Sequence, residues 1–234
     1  MRARQWTGKP ARCEGFVSYT PRVGVRTAFL DTARLVRSLM GQPEVAASWD
    51  RPSALAEMDV ASLTGHLARS VTSTLTYLNR PEPTEGRPVD AAGYYLGIEG
   101  LDGPIDSPLH QAIRARGAEE AAGGLRTLLS RWDDAFAELQ TRLAEEPADR
   151  LIEALRGAVL RLDDYLVTRL VEMVIHADDL AVSVGVEHPP FSPEATDLVI
   201  GCLLEMVRRR RDDIEVIRGL ARRERASGEA LKAF

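Results

Sequence analysis

Tyr165, Arg169, Glu172, His176, Asp179 and Ser183 recur at steps of 4, 3, 4, 3 and 4 residues. On a helix that spacing draws one narrow polar line, with Glu172 and His176 one turn apart. The residues between are almost all apolar. Leu166, Leu170, Met173, Val174, Ala177, Leu180 and Ala181 cover one flank and the back, and Val167, Val171, Ile175 and Val182 cover the other. An ordinary surface helix has the reverse proportions, an apolar stripe beside a broad wet face. A carboxylate and an imidazole on a thin polar strip of a largely buried helix are residue types that ligate a divalent metal. The same spacing also suits an i,i+4 polar pair on a solvated strip, with Arg169 pairing to Glu172. Spacing alone leaves both readings open.

A catalytic zinc site needs three protein ligands and one open position. Among the four histidines, His66 is the best third ligand, because it sits mid-helix between Leu63 and Leu67. A histidine beside an apolar stripe is also commonly a half-buried, hydrogen-bonded residue. His110 lies in a proline-flanked segment read as loop, and His188 precedes two prolines on a surface turn. Both are weaker candidates.

The elements that must carry these residues are all read as helices. The first runs from about Arg22, after Pro21, to Met40, with Gly41 as its stop. The second starts at Asp59, an N-cap, and ends near Leu78 before Asn79-Arg80-Pro81. Residues 80–108 are crowded with proline and glycine, which predicts a long irregular crossover with short helical turns around Ala91–Leu96. A third helix is expected over about Ala118–Leu143, with Leu128, Trp132, Phe136 and Leu139 inward, and a fourth over Asp163–Val184. The fifth opens at Ser192-Pro193-Glu194, an N-cap followed by proline, and runs to about Arg210. A further helical stretch covers Asp212–Arg223, and the only strand-like pieces lie near Ala158–Leu162. The expectation is an all-α fold: a four-helix bundle with a long crossover between helices 2 and 3 and an additional C-terminal helix.

Composition bounds the function. The 234 residues, 44% apolar and 28% charged, are those of a globular protein with ample length for a core. A net charge of -5 argues against a nucleic-acid partner. The Arg208–Arg211 run is followed at once by Asp212, Asp213 and Glu215, and reads as a solvated helix end. Cys13 and Cys202 form no Cys-x-x-Cys pair and no disulfide framework. The first 20 residues are basic but lack an apolar core, and no window has the apolar run of a membrane span. The chain is expected to be cytoplasmic, with no membrane partner, as a monomer or homodimer.

Two stretches resemble one known family. Trp49-Asp50-Arg51-Pro52-Ser53 followed by Asp59 to Leu67, and Asp164 to Ala181 with its Arg-x-x-Glu-x-x-x-His-x-x-Asp-Leu pattern, are similar to the mycothiol-dependent maleylpyruvate isomerase metal-binding (DinB-like) domain family. Val216 to Arg223 looks like that family's closing motif. The resemblance implies a DinB-like domain over residues 23–225, between an N-terminal extension, 1–22, and a loosely ordered tail, 226–234. It implies His66, Glu172 and His176 as metal ligands, with zinc the expected ion, although nickel, iron or manganese also suit this donor set. It implies mycothiol, or a similar low-molecular-weight thiol, activated on the metal to attack a small electrophile, so neither Cys13 nor Cys202 need take part. Asp179 then either orients an imidazole or caps local backbone; Arg169 either clamps a substrate carboxylate or pairs with Glu172; Tyr165 lines the pocket mouth. The isomerase that names the family carries a further C-terminal domain with a needed arginine. This sequence stops soon after Arg225, so thiol S-transfer is expected ahead of maleylpyruvate isomerisation. The rival expectation is a non-catalytic metal- or ligand-binding helical bundle, a sensor or interaction protein.

Overall fold

The computed structural model describes residues 24–222, 224 and 231–233. The N-terminal extension, Cys13 and most of the C-terminal tail lie outside the described residues. Helices dominate: α1 (Val25–Met40), α2 (Pro43–Ala47), α3 (Val60–Leu78), α4 (Ala91–Leu96), α5 (Pro108–Ala121), α6 (Gly124–Glu145), α7 (Leu162–Val184), α8 (Pro193–Arg210) and α9 (Asp213–Ala221). Four of them close a ring in which α1 packs on α7, α7 on α3, α3 on α6 and α6 on α1. This is the expected four-helix bundle. Its core holds Phe29, Leu63, Leu67, Trp132, Leu139, Leu166 and Leu170, all fully buried. No helix among the described residues is long and apolar enough to cross a membrane.

Several helix ends follow directly from side-chain chemistry. The Asp59 carboxylate accepts from the Ser62 amide at 2.7 Å, and Ser192 caps α8 with Pro193 in its first turn. Arg26 joins three helices at one end of the bundle. Its guanidinium donates to Asp163 of α7 at 2.9 Å and to the carbonyls of Leu143 and Glu146 at the end of α6 at 2.7 and 2.6 Å.

Two expectations need correction. The third helix is two helices, α5 and α6, broken where Gly124 adopts a left-handed φ of 78°. His110 therefore lies in the first turn of α5 rather than in a loop. An apolar stripe gives no sign of α5, because the residues it buries are Leu109, Gly117 and Ala121. It packs backbone against backbone on α3: a Cβ on Gly65 would run into the Gly117 carbonyl, and one on Gly117 would lie 2.5 Å from the Ser62 oxygen. The strand-like piece does form (β2, Val159–Arg161), paired antiparallel with an unanticipated β1 (Leu151–Glu153) so that Ile152 opposes Leu160 in the core. The hairpin runs directly into α7 and sets its entry.

Replacing Gly117 with alanine should destabilise the protein by about 1–3 kcal/mol through overpacking, although alanine is intrinsically the better helix former by about 1 kcal/mol. Chemical denaturation checks this, and a stabilised Gly117→Ala would contradict the close α3–α5 crossing.

Candidate metal centre

The bundle brings His66 of α3 against Glu172 and His176 of α7, and one ligand atom from each of the three lies within 4.8 Å of the others. The Asp59 cap sets the start of α3, and the glycine crossing just before His66 brings α5 over that turn. Glu172 Oε2 is the meeting point. His66 Nε2 donates to it at 3.1 Å, and His176 Nε2 stands 3.5 Å away. The two imidazoles meet edge to face, with ring centroids 4.8 Å apart. Tetrahedral zinc with bonds of 2.0–2.1 Å requires donors about 3.3 Å apart, and the two measured separations bracket that value. Two edges of the donor set are therefore close to those a divalent ion needs, and the His66 and His176 ligand atoms lie within 4.8 Å of each other.

The two oxygens of Glu172 face different groups. Oε2 faces the imidazoles, while Oε1 accepts from the Tyr95 hydroxyl at 2.9 Å and lies 4.0 Å from Arg169 Nη2. On the far side of His176, Nδ1 donates to Asp179 Oδ2 at 2.9 Å, which fixes the ring and leaves Nε2 pointing toward Glu172. Asp179 thus meets the imidazole directly, and its backbone carbonyl accepts from Ser183. Arg169 does approach Glu172, but its guanidinium also lies over the Tyr165 ring at 4.9 Å and donates to Thr168 Oγ1. Tyr165 is not at a pocket mouth. It is 1% exposed, in the core, with its hydroxyl 3.2 Å from Ser73 Oγ. Tyr95 was not foreseen as part of the site: nothing in its local spacing distinguishes it within the crossover. His110 and His188 lie apart and bond the carbonyls of Leu101 and Pro189.

From Arg69, one turn beyond His66, a groove of about 490 Å³ continues along α3 beside α5 and α6. Three guanidinium groups line it, from Arg69, Arg80 and Arg131, and three carboxylates balance them, from Glu120, Asp134 and Glu138. The hydroxyls of Thr72, Ser73 and Thr76 lie between.

Charge at the centre is closely coupled. Burial works to raise the Glu172 pKa, but hydrogen bonds from His176 and His66 and the charge of Arg169 outweigh it, holding the carboxyl well below its usual range. Burial lowers His66, leaving a neutral imidazole suited to ligation. For His176 burial also acts downward, but the hydrogen bonds to Asp179 and Glu172 overcome it and push the pKa up to about 9. Burial also raises Tyr95 well above its ordinary value and keeps it a hydroxyl donor.

Below pH 9 the metal-free protein holds a proton on His176 that a bound ion must displace. Between pH 6.5 and 8.5, zinc affinity should therefore rise about tenfold per pH unit, with about one proton released per ion. Calorimetry in buffers of different ionisation enthalpy reads both. A pH-independent affinity without proton release would contradict the paired His176.

Residues 27–181 match the family described as the mycothiol maleylpyruvate isomerase N-terminal domain. The fold is similar to the crystal structure of the mycothiol-dependent maleylpyruvate isomerase, with a TM-score of 0.52 and 15% identity over 80% of this chain and 70% of that one. No curated protein sequence matches the chain. The His66 segment of α3 and the Glu172–His176 segment of α7 fall inside the matched span, the closing stretch 216–223 lies beyond it, and the chain belongs to the mycothiol maleylpyruvate isomerase N-terminal domain family.

Proposed function

We propose that the protein is a metal-dependent enzyme that activates mycothiol, or a similar low-molecular-weight thiol, to attack a small electrophile, as an S-transferase or isomerase. Residues 23–225 act as its metal-binding domain, with His66, Glu172 and His176 as ligands. The observation that carries this reading is the convergence of those three donor atoms from two helices within 4.8 Å. Family membership supports the thiol.

A divalent ion such as zinc, when bound there, supplies the positive charge that makes an incoming thiol a thiolate at neutral pH. The chain's own residues do the rest. Glu172 gives one negative charge, so a doubly charged ion keeps net positive charge for the thiolate. Asp179 holds His176 in the tautomer whose Nε2 is free to ligate. Arg169, held charged by Tyr165 and Glu172 against the opposing effect of burial, provides a fixed cation for an anionic group of the electrophile. Tyr165 supports that guanidinium from beneath. The charge-balanced, hydroxyl-lined groove beyond Arg69 suits the neutral, hydrogen-bonding body of a thiol better than a polyanion. Cys202 is buried in α8, and it is family membership that points to a co-substrate as the source of the reacting sulfur.

Protein purified without chelators should carry about one divalent ion per chain, and His176→Ala should lose it while remaining helical, as read by elemental analysis and circular dichroism. A fully folded wild-type protein that takes up no metal would sink the proposal. Metal-loaded protein that consumes no thiol across a panel of electrophiles would instead make it a binding bundle.

A further inference from the structure

We propose that Tyr95 is a positioning residue that holds Glu172 to ligation through a single oxygen and so keeps one coordination position open for the thiol. The inference rests on the metal-dependent reading above. It stands on the division of labour across the Glu172 carboxylate. Oε2 alone lies between the imidazoles, at 3.1 Å from His66 and 3.5 Å from His176. Oε1 faces away from them, bonded by the Tyr95 hydroxyl at 2.9 Å and flanked by Arg169 at 4.0 Å. A carboxylate with both oxygens unrestrained can chelate an ion and fill the position a substrate needs. A donor fixed on one oxygen opposes that rotation.

The hydroxyl is itself held firmly. Tyr95 is 2% exposed, and its single proton is shared between Glu172 Oε1 and the Thr168 carbonyl, each 2.9 Å from the hydroxyl oxygen. Short α4 is fastened at its start, where Asp90 accepts from the Gly93 amide at 2.7 Å and from Arg209 of α8 through a two-pronged ion pair. A segment of the crossover, pinned from α8, thus reaches the centre through one phenol. The role needs no contact between Tyr95 and the substrate.

The test uses cobalt(II) in place of zinc, because its visible absorption weakens as coordination number rises. Wild-type protein should show an intense visible band, and Tyr95→Phe a clearly weaker one from added carboxylate ligation. The variant should also bind metal about 10–100-fold more weakly, and a small thiol such as 2-mercaptoethanol should need at least tenfold higher concentration to give the sulfur-to-cobalt band. Unfolding of the metal-free variant confirms that it is folded. A Tyr95→Phe protein with wild-type metal affinity and cobalt spectrum overturns the inference. So does weaker binding with an unchanged spectrum, since the phenol would then only support the fold. Should that variant not fold, Arg209→Ala, which removes the ion pair between α8 and the start of α4 without touching the centre, carries the same spectral test. Wild-type protein that takes up no cobalt removes the metal reading and this inference together, whereas a normal wild-type spectrum with no change in the variant removes this inference alone.

Discussion

The Glu172 carboxylate, placed inside a helical bundle and less than one-fifth exposed, is the charge around which the rest is arranged. An isolated buried anion would be strongly penalised by loss of its water. Every neighbour that the fold delivers answers that penalty. His66 arrives from α3, His176 and Arg169 from the adjacent turns of α7, and Tyr95 from the crossover. Remove one, and the others face a partly uncompensated charge in a low-dielectric interior. The same arrangement that makes the carboxylate tolerable without metal also spaces the donors for one.

Longer-range features serve this cluster. The Gly65–Gly117 approach lets α5 lie backbone to backbone against α3, just beside His66. Arg26 ties the ends of α1, α6 and α7, and the two helices that carry His66, Glu172 and His176, α3 and α7, both belong to the closed ring. The hairpin before α7 fixes where that helix begins, and the Asp90–Arg209 pair fixes α4. Rigid elements thereby hold Glu172 Oε2 within a few tenths of an ångström of a tetrahedral edge from each imidazole nitrogen.

Much of this was legible in residue order. Glu172 and His176 are visible as a pair because helix periodicity is local, and Asp59, Ser192-Pro193 and the Ala91–Leu96 turns are visible because caps and breakers act over a few residues. His66 needed a second motif at long range, supplied by resemblance. The α5 helix escaped because its contact surface is glycine and alanine, which leaves no apolar period to read. Tyr95 escaped for a different reason: its importance depends on where a crossover folds back, 77 residues before its partner. Tyr165 was placed correctly on the polar line of α7 yet not in its surroundings, since a polar line on a helix does not tell which of its members the neighbouring helices cover.

His66, Glu172 and His176 are proposed to hold a metal with a position left for an external sulfur. X-ray absorption at the zinc edge, on zinc-loaded protein before and after addition of mycothiol, tests it most directly. Imidazole and carboxylate donors are expected at about 2.0–2.2 Å, joined by one sulfur at about 2.3 Å when the thiol is present. A shell without histidine scattering, or one that gains no sulfur, would contradict it.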